Sequence, residues 1–171
     1  MNGGRSVVRL AAAALALVVP AATVRAAPTA AASGNALIIY PVTVIKTKDM
    51  DFGNVASTIA GTAVIDPNAD SISATGGVTL VGGTPHSAEF AGAAQSSSVV
   101  NIKVPNKPST LTRVGGTETV TVTNFTLQGQ SKRTLAKAQS FTFRVGGTLN
   151  VAANQAEGTY VGTFDVTVQY P

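Results

Sequence analysis

The chain has 171 residues, a formal net charge of +4, one histidine, and no cysteine or tryptophan. This length suits one domain plus a short additional segment, because a domain of about 150 residues buries enough surface to need no covalent cross-link. The lack of cysteine excludes disulfide scaffolds, thiol enzymes and cysteine-ligated zinc sites, and the single histidine excludes sites that need two imidazoles.

Residues 1–26 are predicted to be a secretory signal peptide. Two early arginines precede an apolar run of about 13 residues, and small residues precede a cleavage site between Ala26 and Ala27. Because the run is shorter than the ~20 residues that span a bilayer, we expect no membrane anchor after processing. Cleavage would leave 9 basic against 8 acidic residues, so no nucleic-acid partner is expected either.

The mature chain is predicted to begin with a flexible extension over residues 27–35, followed by one β-domain over residues 36–171. Residues 36–47 are rich in β-branched side chains, but Pro41 restricts them to an edge strand or to a pair of short strands. Residues 66–70 begin like a calcium loop and lack its later Gly and Glu, so they are predicted to form an Asx-rich turn.

The middle of the chain alternates apolar and polar residues between glycine-rich turns. The alternation changes phase between Val122 and Phe125, which predicts a β-bulge near Thr123–Asn124. Residues 141–151 keep one phase across Gly146–Gly147, which predicts a single strand that bends there. This series of short strands predicts an all-β fold, an immunoglobulin-like antiparallel β-sandwich.

Residues 158–171 form the most regular alternating segment and are predicted to be one strand with a buried face. A sandwich of this class normally has a further strand beside such a strand, so we expect a groove that an earlier segment or another chain fills. The residues assigned to the buried face, here called the zipper residues, are Gly158, Tyr160, Gly162, Phe164, Val166, Val168 and Tyr170.

The candidate donor strand for that groove covers residues 36–45. Its apolar face would carry Ile38, Tyr40, Val42 and Val44, whose burial would contribute about 6–12 kcal/mol before ordering costs. The same alternation fits an alternative in which this segment is the first strand of its own sandwich and pairs with residues 160–170 inside one monomer.

The C-terminal segment resembles the last strand of chaperone–usher pilus subunits, with Gly158 and Tyr170 at the positions of that motif. Residues 50–171 also resemble a family of secreted bacterial domains of unknown function that is thought to be related to fimbrial adhesins. The stretches that carry this second resemblance are Asp51–Gly53, Gly61–Val64, Gly76–Val78, Val145–Leu149 and Gly158–Phe164.

The resemblance implies a pilin-like fold and export through the periplasm to a surface filament. It implies copies of the same chain or other pilus subunits as partners, and a periplasmic chaperone. Many chaperone–usher pilins carry a disulfide, which this cysteine-free chain departs from. The expected function is therefore that of a non-enzymatic structural subunit or adhesin-like component that assembles by β-strand addition. The alternative is a self-complete, monomeric secreted binding module.

Other candidate sites are weak. His86 lies in a turn-rich loop with Glu89 nearby, but no nucleophile-elbow sequence accompanies it, so an exposed loop histidine is predicted. Lys132, Arg133 and Lys137 form a small basic cluster that is predicted to be a solvated hairpin tip. We predict no enzymatic activity, no cofactor and no metal site.

Overall fold

A computed structural model describes residues 33–136 and 140–171, which contain strands and no helix. The predicted signal peptide, with Ala26 and Ala27, and residues 27–32 lie outside the described residues. The chain divides after Leu37, and the fold below is that of the unit Ile38–Pro171. The strands are β1 (Thr43–Lys48), β2 (Asn54–Asp66), β3 (Ser71–Gly82), β4 (Ala88–Ala93), β5 (Val99–Lys103), β6 (Ser109–Arg113), β7 (Thr119–Leu127), β8 (Lys132–Thr134), β9 (Ser140–Val151), β10 (Tyr160–Val161) and β11 (Thr167–Gln169).

The strands form two antiparallel sheets, which confirms the predicted all-β class. The larger sheet has eight strands in the order β1-β4-β9-β7-β6-β10, with the β2–β3 hairpin joined to it through β9. The smaller sheet has the order β11-β5-β8. The larger sheet curls into a half-barrel, in which β1 and β10 are the two ends of the six-strand path. No segment of the described chain is a helix that could cross a membrane.

Strand β9 is the centre of the larger sheet. Its first half, Ser140–Val145, pairs with β4, and its second half, Gly147–Val151, pairs with β2 along the same edge. Strand β7 pairs along the opposite edge. A Cβ on Gly146 would lie 2.2 Å from the carbonyl oxygen of Ile65, so the change of partner requires glycine at this point.

The predicted bulge in β7 is confirmed. The register with β9 shifts between Thr123 and Thr126, and Asn124 has a φ of 47°. Asparagine tolerates this left-handed conformation better than most residues. The extra residue lets both Val122 and Phe125 point into the core, although they have opposite phases in the sequence.

The core lies between β9 and its neighbours. Phe143 and Val145 of β9 are fully buried, and Phe90 of β4 stacks on Phe143 with 5.2 Å between ring centroids. A smaller cluster of Ala94, Val100 and Leu135 lies under the second sheet. These two clusters are covered by the partly buried apolar residues of the C-terminal segment.

The turn between β2 and β3 is the predicted Asx turn, in which the Asp66 carboxylate accepts a hydrogen bond from the backbone N–H of Asn68 at 2.8 Å. Asp70 has a φ of 50° and its carboxylate reaches the chain before β4. It accepts hydrogen bonds from the hydroxyl of Ser87 at 2.6 Å and from its backbone N–H at 2.8 Å. These bonds hold the pKa of Asp70 below its ordinary value of 3.8.

We expect Ser87→Ala to destabilise the protein in a pH-dependent way. Because the folded pKa of Asp70 lies below the unfolded one, its contribution is present above about pH 4 and is lost as the pH falls through the folded pKa. Denaturant unfolding of both proteins should therefore differ by about 1 kcal/mol at neutral pH and by less in acid. Ser98→Ala, which removes a hydroxyl bonded to a carbonyl instead, is the control. A pH-independent effect of Ser87→Ala would contradict this role.

Candidate functional site

A groove of about 590 Å³ lies within the half-barrel, and most of its lining residues are apolar, although Lys46, Asp49 and Asp165 are charged. Five of the six strands on the path from β1 to β10 contribute residues to it, and β9 is the one that does not. The groove therefore lies between the two ends of the curled sheet. Its floor is apolar and consists mainly of Phe52, Ala88, Phe90, Leu111, Val122 and Phe125.

The C-terminal segment forms one side of the groove. Phe164 packs against Phe125 with 4.9 Å between ring centroids, and against Phe90 edge-on at 6.4 Å. Tyr160, Gly162 and Val166 also line the groove. The rings of Tyr160 and Phe164 extend the floor on this side. Gly158 and Gly162, which the prediction assigned to the buried face, are exposed.

The single strand predicted over residues 158–171 is wrong. The structure has two short strands: β10 pairs with β6 in the larger sheet, whereas β11 pairs with β5 in the smaller one. Residues 162–166 belong to neither strand, because the segment crosses from one sheet to the other there. Alternation persists through the crossing: Tyr160, Phe164, Val166, Val168 and Tyr170 are half-buried, and the residues between them are exposed.

Two glycines of the zipper set allow close approaches. A Cβ on Gly162 would lie 2.5 Å from the carbonyl oxygen of Thr110, and Gly158 has a φ of 142° next to the Arg113 side chain. Arg113 donates to the Glu118 carboxylate at 2.7 Å, and this bond lowers the pKa of Glu118. The C-terminal segment is held against β6 by two other bonds: the Arg113 guanidinium donates to the Glu157 carbonyl at 3.3 Å, and the Val114 N–H donates to the Thr159 carbonyl at 2.8 Å.

We expect Gly162→Ala to destabilise the protein by roughly 1–3 kcal/mol, because the added methyl group forces the C-terminal segment away from Thr110. Thermal or denaturant unfolding measures this loss. Gly34→Ala is the control, since no described atom would lie within 4 Å of its Cβ. Equal stability of the two variants would show that the segment can shift without cost.

Tyr170 joins three parts of the chain. Its hydroxyl donates to the carbonyl oxygen of Tyr40 at 2.9 Å and accepts from the backbone N–H of Gln95 at 2.9 Å. Val42 packs beside it on the smaller core cluster. The residues just before β1 are thus attached to the C-terminal segment at the second sheet.

Tyr170→Phe should release the segment before β1, since both hydrogen bonds depend on the one hydroxyl. The expected cost is about 1 kcal/mol of stability. Hydrogen exchange at Gln95 should become faster and proteolysis near Tyr40 more rapid. Tyr40→Phe, whose side chain is 73% exposed, is the control and should change neither readout. Unchanged exchange at Gln95 in Tyr170→Phe would contradict the role given to this hydroxyl.

The candidate donor residues are only partly in a strand. β1 begins at Thr43, so Val44 lies within it while Ile38, Tyr40 and Val42 precede it. Ile38 is 93% exposed and Tyr40 73% exposed. We call residues 38–42 the arm. Its first three residues present apolar side chains that contact little of the described chain.

Strand β1 pairs with β4, with Thr43 opposite Ala93 and Ile45 opposite Ala91. The pairing with residues 160–170 that the monomeric alternative required is therefore wrong. Pro41 has no backbone N–H to donate, so the strand does not extend toward the N-terminus beyond it. The strand that follows pairs with the edge of β4. The predicted edge-strand position of this segment is confirmed.

The remaining candidates are structural. His86 is half-buried, not exposed: its backbone forms two hydrogen bonds with Asp51, and its buried Nδ1 atom has no hydrogen-bond partner among the described residues. Glu89 pairs with Arg144 at 3.6 Å. Within residues 33–136 and 140–171, no group of three His, Asp or Glu residues could hold a metal ion.

Arg133 of β8 is not part of a solvated cluster, contrary to the prediction. Its guanidinium donates to the backbone carbonyls of Gln128, Gln130 and Thr142 and lies 5.8 Å from the centre of the Phe143 ring. Burial lowers its pKa. Lys137 lies outside the described residues. No sequence signal distinguishes such an arginine from a surface one, because its acceptors are backbone carbonyls of the preceding loop and of β9.

The fold and the groove define a class: an all-β domain whose curled sheet leaves an apolar groove open between its two ends. A sequence profile of the family described as "Domain of unknown function (DUF4402)" matches residues 42–170. The chain belongs to this family. No curated protein and no solved structure shows a significant match.

Proposed function

We propose that this protein is an exported, non-enzymatic subunit, or adhesin-like component, of a bacterial surface filament that assembles by β-strand addition. In this proposal the half-barrel is an incomplete immunoglobulin-like sandwich. An arm from another copy enters the apolar groove between the two sheet ends and completes it. The observation that carries the proposal is the combination of this open groove with an exposed apolar arm in the same chain.

The groove has the size and chemistry for such an insertion. Its volume falls within the roughly 300–1,000 Å³ of sites that bury several side chains or a small ligand. Phe52, Phe90 and Phe125 supply apolar contact surface, and the sheet ends supply main-chain partners. Strand addition uses main-chain hydrogen bonds for affinity and alternate side-chain pockets for specificity.

The arm does not reach the groove of its own chain. Val42 and Tyr40 are held at the second sheet by Tyr170, whereas the groove contacts near β1 are Lys46, Asp49 and Met50. Val42 and Lys46 are separated by about 13 Å of extended strand at 3.3 Å per residue. β1 runs from the arm toward the groove. Ile38 and Tyr40 therefore lie beyond the end of β1 that is farther from the groove. The groove of a second copy is therefore the site proposed for them.

Insertion of the arm would bury side chains that are now exposed. Ile38, Ile39 and Tyr40 are 93%, 50% and 73% exposed. Complete burial of a large apolar side chain contributes roughly 1.5–3 kcal/mol, which must exceed the cost of ordering the arm and losing translational freedom. Such head-to-tail contacts do not close on themselves, so they generate an open series of oligomers.

The mature full-length protein should form this open series, visible as trimers and larger species by size-exclusion chromatography with light scattering. The double variant Ile38→Asp, Tyr40→Asp should remain at the monomer or dimer with an unchanged unfolding temperature, because it alters only exposed side chains. Val114→Asp, at an apolar position 61% exposed outside the arm, is the matched control and should assemble like the wild type.

Two results would overturn the proposal. A wild-type protein that stays monomeric at every concentration would favour the self-complete binding module, with which the β1–β4 ladder inside one chain agrees. Trimers and larger species of the double variant would show that the arm is not the donor.

A further inference from the structure

Strand β3 forms a further free edge of the larger sheet, and this edge differs from those of the other edge strands. Among the described residues it pairs only with β2, so its outer main-chain groups have no strand partner. Natural proteins usually protect such an edge with charged residues, proline or a very short strand. In the described chain the strands at the ends of the two sheet paths show these features: β1 carries Lys46 and Lys48, β8 carries Lys132 and Arg133, and β10 and β11 have 2 and 3 residues.

The β3 edge has none of these protections. The strand is 12 residues long and contains no charged residue and no proline. Its first half, Ser71–Thr75, pairs in regular register with β2 at Thr62–Asp66. β2 in turn pairs with β9, so this half of β3 is the edge of a continuous, supported sheet. Gly76, with a φ of 70°, ends the regular stretch.

The two faces of this half-strand differ. Ser71, Ser73 and Thr75 are exposed, while Ile72 and Ala74 are half-buried against the main core. The Thr75 hydroxyl lies 2.8 Å from the hydroxyl of Thr62 on β2, so hydroxyl pairs across strands already stabilise this face.

We propose that the β3 edges of two copies pair antiparallel, centred on Ser73, and form a symmetric dimer with one continuous sheet. In this register Ser73 faces Ser73 of the other copy and Ser71 faces Thr75, which pairs hydroxyl with hydroxyl. On the inner face Ile72 lies opposite Ala74, so a large side chain meets a small one. No like charges oppose each other along the pair, which is what distinguishes β3 from β1 and β8.

This dimer is independent of arm insertion. A two-fold interface uses the same surface on both copies and closes after two chains, whereas arm insertion joins two different surfaces and stays open. A filament subunit with both contacts would associate side by side as well as end to end.

The cysteine-free chain allows a direct test by single-cysteine cross-linking. Opposed residues of an antiparallel pair have Cα atoms about 4.5–5.5 Å apart, within the range a disulfide can bridge. Under mild oxidation the mature Ser73→Cys protein should therefore give a covalent dimer. Ser71→Cys alone should not, because the two copies of residue 71 would be separated by four residues, about 13 Å. A mixture of Ser71→Cys and Thr75→Cys proteins should cross-link again.

Thr126→Cys, at an exposed position on the central strand β7, is the control for random collision. A Ser73→Cys yield no higher than that of Thr126→Cys overturns the proposal, as do equal yields at positions 71, 73 and 75.

Ser73→Lys provides a check without cysteine. In the Ile38→Asp, Tyr40→Asp background, which removes arm insertion, two opposed ammonium groups should abolish the dimer in sedimentation, and Thr126→Lys should leave it intact. Failure of arm insertion leaves these readouts unchanged, since the cross-links depend on residues of β3 and the sedimentation test uses chains whose arm is altered.

Discussion

The whole arrangement depends on the change of partner along β9. Gly146 and Gly147 are the point at which one edge of this central strand passes from β4 to β2. A side chain on Gly146 would collide with the carbonyl of Ile65, and one on Gly147 would lie 2.9 Å from Val122. Because β9 pairs with two strands along one edge, it joins the β2–β3 hairpin and β4 into one sheet. Ala88 and Phe90 of β4 then form part of the groove floor.

The sequence predicted the local features well. Strict alternation identified the inward face of the C-terminal segment, the phase change between Val122 and Phe125 located the bulge, and constant phase across Gly146–Gly147 identified β9 as one strand. These features are local, because each depends on which side of the backbone a residue points to. An alternation of apolar and polar residues with a period of two shows directly which side of the strand each residue occupies.

Pairing partners were harder to predict. The pattern of residues 158–171 is that of one strand, yet the segment crosses between sheets, since an alternating chain can bury the same face against two surfaces in succession. The same limitation applies to β1, whose composition does not reveal that β4 lies beside it. The role of Arg133 could not be predicted, because its three acceptors are backbone carbonyls, which every residue has. The groove itself is a property of the curled sheet and has no counterpart in any single motif.

The groove and the arm place opposite demands on the same short region. In the proposed assembly β1 stays paired with β4 of its own chain, while the residues before it insert into another copy. Pro41 separates the two, and the Tyr170 hydroxyl sets the boundary by holding the Tyr40 carbonyl. Val42, at the end of the arm next to β1, packs on the chain's own smaller core cluster. The residues that stabilise the fold and the residues proposed to insert into another copy are thus only a few positions apart in the chain.

The position of the tyrosines has a practical consequence. The chain has three tyrosines and no tryptophan, so its near-ultraviolet absorbance and intrinsic fluorescence come mainly from Tyr40, Tyr160 and Tyr170. One lies in the arm, one lines the groove, and one joins the arm to the second sheet. The unlabelled protein therefore carries its chromophores at the places where assembly would change the environment. A change in tyrosine emission on concentration would report on this region and would be largely silent about the rest of the fold.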